Sequence, residues 1–121
     1  MTETAHRRVV LRLLAACQAR DEAAIRGTLH PRVTMQLDSG GHFDSGPEAA
    51  CGTDPVAAQL VRLLNEIDAL AVTEQAVNGG PGLALRSGDR VLGVLSLAIR
   101  GGRIHEVWAV ANADKLGHWQ P

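Results

Sequence analysis

Asp38, His105 and Glu106 are the residues of this sequence best suited to moving a proton. Asp38 closes the alternating stretch Val33–Asp38, beside the break Ser39-Gly40-Gly41 and a polar segment carrying His42 and Asp44. A carboxylate at a pocket mouth becomes a general base once loss of water raises its pKa. The structural alternative is a solvated strand-end Asp that favours the turn. His105 and Glu106 are adjacent, so on a strand they point to opposite faces and do not form a pair. Whichever faces an aliphatic interior is a site candidate, because such surroundings perturb titration; the alternative is a sheet edge or a subunit face. By strict alternation Glu106 shares a face with Ile104, Trp108 and Val110, and His105 with Val107 and Ala109. Trp108 is one of two tryptophans and suits the wall of a hydrophobic pocket, or simple packing. Arg86 and Arg100 end strands at turns, where each suits either an anionic ligand group or water.

Other chemistries find no support. His6, His30, His42 and His118 lack the spacing of a metal motif, so neither a metal nor a cofactor is expected. The glycines mark turns and form no phosphate-cradling loop. Two cysteines, Cys17 and Cys51, exclude a disulfide framework and point to reduced thiols. Twelve Lys plus Arg balance 13 Asp plus Glu for a formal charge of −1. That balance argues against nucleic-acid binding and gives no sign of an anionic membrane partner. Met1–Arg8 is polar, unlike a signal peptide, and no apolar run approaches a membrane span. A cytoplasmic location is the expectation.

These candidate residues need a scaffold, and 121 residues suffice for one domain, 1–121. Aromatics are only 2%, so the core must be aliphatic. Val9, Val10, Leu13, Leu14 and Cys17 form one stripe of a helix from about Glu3 to Ala19. Asp21 suits the N-cap of a short second helix carrying Ile25 and Leu29, ended by Pro31. Val33–Asp38 reads as a strand, and His42–Gly52 as a long loop with room for a short extra strand. Asp54-Pro55 opens a third helix with Val56, Leu60, Leu63, Leu64 and Ile67 on one face. Leu70–Val77, Leu83–Arg86, Arg90–Arg100 and Arg103–Ala111 then read as strands joined by Gly-rich turns, a four-strand antiparallel meander. The fold class is α+β, about three helices on a sheet of five or six strands. Val91–Ile99 is apolar on both faces, so a homodimer is expected to cover the second face.

The last 45 residues sharpen this. Val77-Asn78-Gly79-Gly80-Pro81-Gly82, Arg90-Val91-Leu92-Gly93-Val94-Leu95-Ser96-Leu97, Gly102-Arg103-Ile104 and Asn112-Ala113-Asp114-Lys115-Leu116 resemble the SnoaL-like C-terminal domain of extracytoplasmic-function sigma factors. Ala113 stands where that group usually has Pro. The helical N-terminal half and curved meander extend the resemblance to the nuclear transport factor 2-like superfamily. The sigma core regions do not precede this stretch, so direct DNA binding is not carried over.

The resemblance implies a cone, a curved sheet wrapped around helices with a pocket at the wide end. In that superfamily the pocket hosts isomerases, cyclases and epoxide hydrolases, with a pocket Asp as base, and also non-catalytic binding domains. Two readings follow. One is a pocket that binds a small hydrophobic metabolite and acts on it without a cofactor, with Asp38 as base, Glu106 or His105 as second polar group, and Trp108, Arg86 and Asn112 as ligand contacts. The other is a non-catalytic regulatory or ligand-binding module. Asn112 also suits a terminal helix cap.

Overall fold

The computed structural model describes residues 3–38, 49–67 and 71–111. Helix α1 (Glu3–Gln18) buries Val9, Val10, Leu13, Ala16 and Cys17, the stripe its periodicity predicts. Arg20 then takes a left-handed φ of 53° and its guanidinium donates to the Cys17 carbonyl at 3.0 Å. Asp21 caps α2 (Glu22–Arg26), accepting the Ala24 N–H at 3.1 Å, which satisfies one orphan donor of the first turn. Helix α3 (Thr53–Glu66) starts one residue before the expected Asp54 cap. Gly52 occupies the cap position at φ 93°, and Pro55 lies within the first turn, where its missing N–H costs nothing. Val56, Ala57, Leu60, Leu63 and Leu64 of α3 are buried.

Six strands form one sheet: β1 (Leu29–Asp38), β2 (Ala49–Cys51), β3 (Ala71–Glu74), β4 (Gly82–Ser87), β5 (Arg90–Arg100) and β6 (Arg103–Val110). The order β2-β1-β6-β5-β4-β3 contains the expected meander, β3 to β6. Every pair is antiparallel except β1 with β6, which is parallel. The architecture is therefore α+β, helices against a mostly antiparallel sheet. β2 falls in the stretch read as loop; a strand nearer His42 would lie outside the described residues.

Two differences from the sequence expectation shape the molecule. First, β1 begins at Leu29, which the helix pattern had assigned to α2. The Leu29 side chain is 1% exposed and its backbone pairs with Ile104. Pro31 sits where the β1–β6 register slips, between Leu29 and Thr34, so no ladder hydrogen bond depends on it. Second, β6 carries a bulge: Ala98 faces Glu106 and Ile99 faces Ile104, leaving His105 as the extra residue. The bulge resets the alternation, so Ile104 joins Val107 and Ala109 in the core instead of sharing a face with Glu106.

The inner face of the sheet packs on the helices in one aliphatic cluster that includes Leu13, Leu60, Leu64, Met35, Leu95 and Val107. The outer face holds a second, smaller cluster of Val77, Ala84, Val91 and Val94 with Val110 against it. Val77 reaches it because residues 75–81 extend the β3–β4 hairpin and fold over Gly82. A Cβ at Gly82 would lie 2.6 Å from Val77 Cγ2 and 2.5 Å from the Leu95 carbonyl, so only glycine fits. Part of the second apolar face of β5 is thus covered by the same chain, and that face alone does not require a second subunit. None of the described helices is long and apolar enough to cross a membrane.

Candidate functional site

Register decides which side chains enter the cone. On β1 the buried residues are Leu29, Val33, Met35 and Leu37, and on β6 they are Ile104, Val107 and Ala109. Their neighbours Thr34, Gln36 and Asp38, and Glu106, Trp108 and Val110, pair across the two strands on the opposite face. Trp108 is 45% exposed although its strand is central, so its indole lies on the outer face, between Gln36 and Ser96. Of the residues expected inside the cone, Trp108 with Glu106 or His105, Trp108 and Glu106 thus face away from the helices. A period-two pattern gives two faces but not which one meets the helices, and here the aliphatic set won.

Asp38 ends β1, half-buried and in register with Val110. Its carbonyl accepts the Ala111 N–H at 3.0 Å, tying the end of β1 to the end of β6. Arg86 is half-buried and donates to the Asp89 carbonyl at 3.4 Å, within the β4–β5 turn. Asn112, like His42 and Asp44, lies outside the described residues. Among the described residues the inward positions of β1 and β6 carry no ionisable group. Cys17, buried against the same core, has its thiol pushed up to about 12 by burial, partly offset by the Arg20 charge. It stays protonated at neutral pH and is a poor nucleophile.

The structure does bring three of the candidate residues, Arg100, His105 and Glu106, together elsewhere. On the outer side of the β1–β6 junction, a hollow of about 600 Å³ is lined by His30, Arg32, Thr34, Arg100, His105 and Glu106, among others. His30 and His105 are the residues released from the ladder by the two register slips, and their rings stack with centroids 3.9 Å apart and planes 24° apart. The Arg32 N–H donates to His30 Nδ1 at 3.0 Å, and Arg100 Nη2 donates to His105 Nδ1 at 3.3 Å. Burial, then the neighbouring His30 and Arg100 charges, hold the His105 pKa below the ordinary imidazole range. His30, Arg32 and Arg103 were not singled out by sequence. No local motif marks His30 and Arg32, since they lie on β1 and meet His105 of β6 only across the slipped pairing. A further groove of about 630 Å³ runs between α1 and the β3–β4 connection, bridged by Arg7 and Glu74 at 3.4 Å. No cluster of three metal-ligating side chains occurs among the described residues.

Comparison with known proteins fits this geometry. A SnoaL-like protein of Burkholderia thailandensis superposes with a TM-score of 0.65 at 18% identity, over 89% of this chain and 94% of that one. The fold is SnoaL-like. A candidate ketosteroid isomerase from Kribbella flavida shares the fold at 17% identity and a TM-score of 0.59, over 89% of this chain and 78% of its own. In sequence, the chain is 29% identical to the extracytoplasmic-function RNA polymerase sigma factor SigJ of Mycobacterium tuberculosis, over 94% of its own length but 40% of that protein. The SigJ crystal structure superposes with a TM-score of 0.66 at 30% identity, over 94% of this chain and 45% of that one. The chain thus spans less than half the length of SigJ, and the sigma-factor resemblance read from residues 77–116 holds. No family model matches the chain.

Proposed function

We propose that this SnoaL-like chain acts as a non-catalytic binding module, comparable to the part of SigJ that it resembles, and not as an acid/base enzyme. One observation carries the reading. The buried core positions of β1 and β6 are Leu29, Val33, Met35, Leu37, Ile104, Val107 and Ala109, all aliphatic, while Glu106 and Trp108 face the other way. Acid/base catalysis needs a titratable group within hydrogen-bond reach of the proton it moves, in a place the substrate can occupy. Among the described residues the inward positions of β1 and β6 offer no such group. The shared fold with a candidate isomerase does not weigh against this, because one fold hosts many functions.

The test is turnover. The purified chain is assayed with a Δ5-3-ketosteroid and with a simple epoxide, substrates of the chemistries this fold hosts. No rate above the uncatalysed reaction is expected. A turnover that drops by about 10²–10⁴-fold in Asp38→Asn, the loss typical of a removed general base, would overturn the reading.

A further inference from the structure

We propose that the His30–His105 hollow is a binding site for a phosphate dianion, free or carried on a small organic phosphomonoester. It goes beyond the binding-module reading and does not depend on the cone interior.

The charge around the hollow is one-sided. Arg32 from β1, Arg100 from β5 and Arg103 from β6 surround the two imidazoles, and Glu106 is the one carboxylate among the described residues that line this hollow or the smaller one of about 430 Å³ beside it. The two hollows share His30, Arg100 and His105. Leaving the imidazoles aside, the larger hollow sets Arg32 and Arg100 against Glu106, and Arg103 in the adjoining one raises the formal charge of the two together to +2, the sign and size that suit a phosphomonoester dianion. Arg100 and Arg103 are held as a pair across the β5–β6 turn, because Gly101 and Gly102 take left-handed φ values of 59° and 77° and close the hairpin in two residues. Guanidinium forks are suited to phosphate oxygens.

The imidazoles add donors of fixed identity. A backbone N–H and a guanidinium can only donate, so Nδ1 of each ring is an acceptor. With Nδ1 accepting, Nε2 is the nitrogen of each ring left to donate to an anion. The arrangement is also expensive without one. Arg100 and His30 both disfavour a proton on His105. A dianion in the hollow would offset those like charges, so binding is expected to raise the His105 pKa. Glu106 on the same strand is the group that opposes the anion.

The experiment uses the whole chain at low ionic strength, because exposed charges are screened by salt. Inorganic phosphate and, separately, phenyl phosphate are titrated while the His Cε1–H resonances are followed by NMR. Both anions are expected to shift the His30 and His105 signals saturably and to leave His6 unmoved. Tighter binding of phenyl phosphate identifies an organic phosphomonoester as the ligand class, and equal binding identifies free phosphate. Arg100→Gln is expected to weaken phosphate about tenfold, the effect of losing one charge-assisted hydrogen bond. Arg32→Gln, which leaves the β5–β6 turn intact, is expected to act in the same direction, and Arg12→Gln on α1 not at all. The proposal fails if phosphate gives no saturable shift at His30 and His105. It fails equally if acetate matches phosphate, or if Arg100→Gln and Arg32→Gln in folded protein bind phosphate as tightly as the parent.

Discussion

On the inner face of the sheet, Leu95 and Leu97 of β5 and Val107 and Ala109 of β6 sit in the helix-packed core. On the outer face the same two strands present Ser96, Ala98, Glu106 and Trp108, with His105 at the bulge. The inner set is aliphatic and at most 5% exposed. The outer set is polar or accessible. Apart from the small cluster around Val91 and Val94, the outer face of these two strands is free of the packing that fills the inner one. A site on the outer face can change its residues without disturbing what holds the fold together. A site in the cone could not, because each inward side chain there also fills the core.

The sharpest way to break this comparison is truncation on each face. Leu95→Ala removes a fully buried inner side chain and is expected to cost about 2–5 kcal/mol of unfolding free energy by denaturant titration. A loss near zero would mean that the inner face does not carry the stability. An intermediate effect is expected from pH. The folded-state pKa of His105 lies below its ordinary value of 6.5, so the unfolded chain binds the extra proton first. The stabilisation is fully present above that ordinary value and is lost as pH falls through the folded pKa. Thermal unfolding followed from neutral to mildly acidic pH should show a fall in Tm that is smaller in His105→Asn. An equal fall in both proteins would show that the imidazole stack is not the cause. The smallest effect is expected from Trp108→Ala, within about 0.5 kcal/mol, as for surface positions without special partners. A large loss there would show that the outer face also carries stability.

Much of the scaffold was legible because it is written in local patterns. The α1 stripe, the Asp21 cap, the apolar face of α3 and the glycine turns between β4, β5 and β6 are each set by residues a few positions apart. The boundary at Leu29 was not legible, because Pro31 reads as a helix stop until the slipped pairing with β6 is known. The site was legible only in its parts. His105, Glu106 and Arg100 stand out by type, but alternation counted through residue 105 puts Ile104 on the wrong face. The bulge that corrects the count also recruits His30 and Arg32 from a distant strand. Such a slip depends on the pairing of two strands, and neither strand states it alone.

The order β2-β1-β6-β5-β4-β3 has one more consequence. The two outermost strands are the shortest, three residues in β2 and four in β3, against ten in β1 and eleven in β5. Among the described residues β2 covers only Thr34–Gln36 of β1, and β3 covers Leu83–Arg86 of β4, so each border is stepped and not one straight row. Long open borders are what let sheets of separate molecules join into fibrils, and this taper denies them a template.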